Sequence, residues 1–115
     1  MKLTNEVLYD SLAVLARVSE TGKLGYACAK NRRKIADEIK EYMDKRDELL
    51  DKYGKQNANG SYNLTDKNLQ KYLDELAPYS EMECDVNLMT VEPDEFYGGN
   101  LNSQDMFILD WMIAE

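Results

Sequence analysis

Histidine is absent from this 115-residue chain, and cysteine and proline are scarce, with two residues of each. Without histidine, the chain lacks the usual general base of Ser-His-Asp and Cys-His catalysis and the commonest metal ligand. Cys28 and Cys84 are far apart and form no CxxC pair, which argues against a structural zinc site. We therefore expect no cofactor, no metal and no enzymatic activity.

Long hydrophobic runs are also missing. No stretch of eighteen apolar residues occurs, so no membrane span and no membrane partner are predicted. The first ten residues, MKLTNEVLYD, contain no apolar core of a secretory signal. We expect a cytoplasmic protein whose two cysteines are reduced and shielded, with a disulfide between them as the less favoured alternative.

Residues 24–53 give the strongest structural signal in the chain. Their apolar and ring-bearing side chains recur at three- and four-residue spacing, which predicts one long helix with a single buried face. The residues of this face are Ile35, Ile39, Tyr42, Met43, Leu49, Leu50 and Tyr53. Such a helix would be about 43 Å long, against a diameter of about 34 Å for a compact chain of this size. We therefore expect the helix either to bend or to project beyond the body.

A first helix is predicted over residues 5–20, ending at Gly22. A connection of three residues to the long helix favours an antiparallel helical hairpin as the core of the fold. In this arrangement the first helix buries Ile35, Ile39 and Leu49.

Two further helices are predicted in the second half of the chain. The first covers residues 66–77, with Thr65 as its cap and Pro78 as its end. The second covers residues 103–114, has Ser103 as its cap and is apolar nearly all round. A helix of this kind is buried by its own fold or by a partner.

Residues 81–89 alternate between apolar and charged side chains, which predicts a strand with one buried and one charged face. Its partner is either residues 1–4 or residues 61–64, and the turn Asn59-Gly60 predicts a loop or small hairpin before the latter. The expected fold is therefore a single α+β domain, mostly helical, over residues 1–115. It has a long helical hairpin core, two further helices and a small two- or three-stranded β element.

The negative charge is concentrated in one half of the chain. Residues 54–115 carry three basic and twelve acidic side chains, a net charge of −9, whereas residues 23–53 carry +2. A duplex-binding protein usually shows the reverse balance, so no direct duplex nucleic-acid binding is expected. Six acidic residues form a candidate surface for a basic partner, with solubility as the alternative explanation: Glu81, Glu83, Asp85, Glu92, Asp94 and Glu95.

The only basic cluster of the sequence lies within residues 30–34 and consists of Lys30, Arg32, Arg33 and Lys34. The favoured interpretation is that Arg32, Arg33 and Lys34 pair with the acidic residues of the stretch 81–95 in the same molecule. The alternatives are contact with an anionic ligand or partner surface, and plain solvation.

The C-terminal segment is rich in aromatic residues and methionine. Phe107, Trp111 and Met112 are candidates for an apolar assembly surface, although core packing is the favoured explanation.

Three segments carry a family resemblance: the start of the first helix at LTN, the stretch YACAKNRRKIADEIKEYMDKRDELLDKYG, and the ending MFILDWMIAE. The chain resembles a family of small proteins of unknown function encoded by tailed phages and prophages of Gram-positive bacteria. The resemblance implies a viral gene product in a bacterial host cell. It carries no catalytic residue over to this chain.

These observations favour a non-enzymatic phage or prophage protein that acts through protein–protein contacts, with a phage or host protein or with itself as a homo-oligomer. The alternative is an acidic, anti-CRISPR-like inhibitor of a host defence factor, whose carboxylates imitate nucleic-acid phosphates. A third and weaker alternative is an unrecognised enzyme. Salt separates the first two, because a charge mimic loses affinity steeply with ionic strength and an apolar assembly does not.

Overall fold

The computed structural model describes residues 1–115 and shows the predicted, mostly helical α+β fold. The helices are α1 (Asn5–Leu15), α2 (Gly22–Glu38), α3 (Lys40–Tyr53), α4 (Asp66–Ser80), α5 (Pro93–Tyr97) and α6 (Ser103–Ile108). The strands are β1 (Lys2–Thr4), β2 (Lys55–Gln56), β3 (Tyr62–Asn63) and β4 (Glu83–Asp85), and a 3-10 turn (Asp110–Met112) follows α6. None of the six helices combines the length and the apolar character needed to cross a membrane.

α1 packs against α2 through its apolar face, and α3 packs chiefly against α4. Ile35, Ile39 and Leu49 are buried, as predicted, but Leu49 lies on the helix that packs against α4. The core therefore has two adjoining helix pairs rather than one long hairpin.

The prediction that the first helix continues to residue 20 is wrong. α1 ends at Leu15, and residues 18–20 have left the helix. Two contacts with the C-terminal part of the chain hold this segment: Arg17 binds Asp105, and the Glu20 carboxylate accepts a hydrogen bond from the Asn100 N–H at 2.5 Å. Gly22, expected to end α1, instead begins α2 with a φ of +67°, a backbone conformation that side chains with a Cβ rarely adopt.

The predicted long helix is interrupted at Ile39, which separates α2 from α3 and has φ −95° and ψ 12°. The backbone bonds on either side survive, from Ile39 N–H to Ile35 and from Met43 N–H to Ile39, at 3.0 and 2.9 Å. The interruption is thus a local distortion around a fully buried side chain. The molecule measures 45 Å in its longest dimension.

α4 begins as predicted, with the Thr65 hydroxyl accepting a hydrogen bond from the Asn68 N–H at 3.2 Å. Pro78 does not end it, however, because the helix continues to Ser80. There the Ser80 hydroxyl and the Tyr42 hydroxyl are hydrogen-bonded at 2.7 Å, which fastens the last turn of α4 to α3. This tertiary contact, worth about 0.5–1.5 kcal/mol, helps to hold the turn around Pro78.

The charged strand is shorter than predicted and covers only residues 83–85. It pairs with β1, one of its two candidate partners, in an antiparallel register that places Lys2 opposite Asp85 and Thr4 opposite Glu83. The other candidate, residues 61–64, contributes β3 to a separate hairpin with β2.

The predicted C-terminal helix is wrong in its second half. α6 ends at Ile108, and after the 3-10 turn Ile113 forms a parallel bridge with Val91. Leu109 and Met112 are fully buried, so the chain turns inward here instead of continuing along one axis. The cap is Asn102 rather than Ser103, since the Asn102 side chain accepts the Asp105 N–H at 2.8 Å.

Candidate functional site

The predicted basic cluster divides into exposed cations and one buried amide. Lys30, Arg32, Arg33 and Lys34 are exposed on α2, whereas Asn31 between them is fully buried. The Asn31 side chain donates to the Met89 carbonyl at 2.9 Å and accepts from the Met89 N–H at 2.7 Å. The Asn31 side chain thus provides hydrogen-bond partners for both the N–H and the C=O of Met89, as a neighbouring strand would.

The expected ion pairs between this cluster and residues 81–95 are absent, and that prediction is wrong. Arg32 and Arg33 take part in none of the five ion pairs of the molecule, and Lys34 donates to the Asn87 carbonyl at 2.7 Å rather than to a carboxylate. Helix geometry gives the reason. Because Asn31 faces residue 89, Arg32 and Arg33 lie about 100° and 200° further around the helix and point away from the acidic stretch.

The two arginines instead border a groove between α1 and α2. The groove has a volume of about 530 Å³ and is lined by Leu12, Ala16, Ala29, Arg32, Arg33 and Ala36. Its apolar part consists mainly of alanine side chains, which are too short to fill the space between two helices. We call it the arginine groove. It offers an apolar floor next to two guanidinium groups without intramolecular partners.

The candidate apolar surface is not brought together at the surface of the molecule. Met112 is fully buried, and Trp111 is partly buried with its indole N–H donating to the Ser11 hydroxyl at 2.9 Å. Both therefore serve core packing, the favoured interpretation. Phe107 differs, since its side chain is 79% exposed.

The six candidate acidic residues form two groups, one at β4 and one at α5. Five are exposed and Glu95 is partly buried. Two have cationic partners: Asp85 pairs with the N-terminal ammonium group at 3.1 Å, and Glu95 pairs with Lys23 at 3.5 Å. The other four, Glu81, Glu83, Glu92 and Asp94, have no ion pair.

One ion pair, between an exposed arginine and a buried carboxylate, was missed by sequence reasoning. Arg17 donates to both carboxylate oxygens of Asp105, at 2.5 and 3.1 Å, and the Asp105 residue is only 4% exposed. The hydrogen bonds and the negative charge of Asp105 raise the pKa of Arg17. The pair joins the end of α1 to α6. The one signal of this ion pair in the sequence is Asp105, an acidic residue within the otherwise mostly apolar C-terminal segment.

A cationic–aromatic cluster joins α1, α3 and α4. The Arg46 guanidinium lies 4.0 Å from the ring centre of Tyr9 and 5.9 Å from that of Tyr42, and it donates to the Tyr9 hydroxyl at 3.3 Å. The nearby Tyr72 hydroxyl is buried without a hydrogen-bond partner, and burial raises its pKa. The cluster is a packing contact between helices.

Neither cysteine is an activated nucleophile. Both thiols are free; Cys28 is buried, as predicted, while Cys84 is only partly buried and donates to the Asn5 side-chain oxygen at 3.1 Å. Burial, with a contribution from the Glu20 carboxylate, raises the pKa of Cys28 to about 11. Its thiol is therefore protonated at neutral pH, when a nucleophile or metal ligand needs the thiolate. No group of three or more Cys, Asp or Glu side chains has an arrangement that could hold a metal ion.

Comparison with protein-family models, curated proteins and solved structures gave no match for this chain.

Proposed function

We propose that this chain is a non-enzymatic phage or prophage protein that acts by binding another protein, and that the arginine groove is its docking site. The groove is the observation that carries this proposal. The phage setting comes from the family resemblance alone.

The arginine groove combines two properties of a protein interface. Arg32 and Arg33 are exposed and unpaired, so their guanidinium groups are free to form bidentate bonds with carboxylates of a partner. The alanine-lined floor is apolar, which suits a side chain or helix face of the partner rather than a polar metabolite. The partner expected from this chemistry presents an apolar side chain next to acidic residues.

Charge reversal at the groove tests the proposal. The variant Arg32→Glu/Arg33→Glu is compared with Lys67→Glu/Lys71→Glu, which makes the same change in charge at two exposed and unpaired lysines of α4. Association with the partner, measured by quantitative affinity capture from the producing cells and by light scattering for self-association, should fall at least tenfold for the groove variant only. Equal association of both variants would remove the groove as the docking site.

The rival function, an acidic inhibitor that imitates nucleic-acid phosphates, is supported by the four unpaired carboxylates Glu81, Glu83, Glu92 and Asp94. Replacing all four with glutamine and asparagine should then abolish binding to a basic partner. Wild-type affinity for that partner should fall steeply between low and high salt. Loss of binding in the Arg32→Glu/Arg33→Glu variant but not in this carboxylate variant favours the groove.

A further inference from the structure

We infer that the arginine groove accepts Phe107 of a second copy of this chain, so that the protein self-associates through α6 and the α1–α2 pair. The inference rests on the proposed function, because it names the partner of the same groove.

Phe107 is the most exposed of the large hydrophobic side chains, at 79%. Residues on both sides of Phe107 along the chain are held by hydrogen bonds to other parts of the molecule. Asp105 is held by Arg17, and Trp111 is held by Ser11. The aromatic ring therefore projects from a short helix that is anchored to α1, and it is presented to solvent in a defined place. Anchored aromatic side chains of this kind are typical of the centres of protein interfaces.

Charge complementarity identifies the second copy as the partner. Residues 103–115 contain three acidic side chains and no basic one. Asp105 is already paired, but Asp110 is exposed, has no ion pair and lies three positions after Phe107. The segment thus carries the combination that the groove requires, an apolar side chain next to a free carboxylate.

The net charge restricts where two copies can meet. At −8 per chain, most of the surface repels a second copy. The arginine groove is a local exception, because it presents two unpaired cations together. It therefore provides a place where the acidic C-terminal segment of another copy is attracted rather than repelled.

The two contact regions also suit a closed dimer. The groove lies between α1 and α2, and α6 packs against α1, so both regions adjoin the same helix. A two-fold axis near α1 would let each copy insert its Phe107 into the groove of the other. Such an isologous arrangement uses each contact twice and leaves no open end for further growth.

Sedimentation equilibrium of the purified chain tests the inference. The wild-type protein should approach twice the chain mass of 13.3 kDa as its concentration rises. Phe107→Ser, Arg32→Glu/Arg33→Glu and Asp110→Arg should each weaken association at least tenfold. Leu73→Ser, which removes a large exposed side chain from α4 where 48% of it is exposed, should associate like the wild type. Circular dichroism melting confirms that each variant is folded.

Mixing two variants gives the most specific result. The Arg32→Glu/Arg33→Glu chain and the Asp110→Arg chain should each be monomeric alone but associate when mixed. In the mixed dimer, the charge-reversed groove of one chain faces the charge-reversed position 110 of the other. At the second contact, the native Arg32 and Arg33 face the native Asp110. Failure of this mixture to associate would overturn the proposed pairing.

The outcomes separate this inference from the proposed function. A wild-type chain that stays monomeric up to its solubility limit overturns self-association. If the groove variant then also loses a different captured protein, docking at the groove stands. If it loses nothing, both proposals fail. If the wild type forms a dimer and the Phe107→Ser and groove variants dimerise equally well, the proposed contact between Phe107 and the groove is wrong.

Discussion

The side-chain amide of Asn31 makes two hydrogen bonds to the backbone of Met89, a residue 58 positions further along the chain. These bonds fix the rotation of α2 about its own axis relative to residues 86–91. The position of Arg32 and Arg33 at the arginine groove follows from that rotation. The candidate docking site is thus set by a neutral residue inside the basic cluster.

Replacing Asn31 with alanine should destabilise the fold by about 1–3 kcal/mol, because the partly buried N–H and C=O groups of Met89 lose their partners. Urea unfolding monitored by circular dichroism measures the change. Arg32→Ala, at the exposed neighbouring position, is the matched control and should stay within about 0.5 kcal/mol of the wild type. Equal stability of the two variants would show that the amide contact contributes little.

Ile39→Ala should lower the free energy of unfolding by roughly 2–5 kcal/mol, since the side chain is fully buried where α2 meets α3. Leu73→Ala on the exposed side of α4 serves as the control for loss of a large apolar side chain. Denaturant titration provides the comparison. A loss below about 1 kcal/mol would mean that the core closes around the missing atoms.

Arg17→Ala should lower the free energy of unfolding, because it leaves the buried Asp105 carboxylate without its cation. The loss should stay below that of a fully buried ion pair because 58% of the Arg17 side chain is exposed. Arg33→Ala removes an exposed arginine with no ion pair and should have almost no effect on stability. Thermal and chemical unfolding of both variants check this difference, and similar losses would show that the Asp105 pair is unimportant.

Cys28 should make stability decrease in alkali. Its pKa is raised in the folded protein from 9.0 to about 11, so between these values the unfolded chain releases a proton that the folded chain retains. The contribution is intact below pH 9 and is lost as pH rises towards 11, by up to roughly 3 kcal/mol.

Melting temperatures of wild type and Cys28→Ala between pH 7 and pH 11 isolate this effect from pH effects that are common to both proteins. The wild type should lose more stability in alkali than the variant. Parallel pH profiles would contradict the assignment. In the native protein, Cys28 should also react more slowly with a thiol reagent than Cys84, which is less buried.

Local signals predicted the helices well, because periodicity and caps are properties of neighbouring residues. The stripe through Ile35 and Ile39 and the cap at Thr65 are examples. The break at Ile39 could not be predicted, since the apolar spacing continues through it unchanged. The C-terminal helix was overextended for a related reason. When a segment is apolar on every side, its sequence shows no polar face, and the residue at which the helix ends cannot be located from the pattern.

The candidate site was predicted only as a composition of charges. Sequence identified Arg32 and Arg33 as a basic cluster and Phe107 as part of an apolar end. It could not show which way the arginines point, because the rotation of α2 depends on a contact with Met89 far along the chain. The prediction that the arginines pair with the acidic stretch 81–95 was wrong for this reason.

The segment from β4 to Val91 has partners in three separate parts of the chain. β1 pairs with it at one end, Asn31 holds its middle, and the backbone of Met112 and Ala114 binds Val91. The contacts with β1 and with Asn31 join residues 58 or more positions apart, whereas α1 with α2 and α3 with α4 are neighbours along the chain. Loop closure slows the formation of such contacts, so the helix pairs should form early in folding and this segment should be added last. In native-state hydrogen exchange, the amides of Met89 and Val91 would then report whether the whole chain has closed.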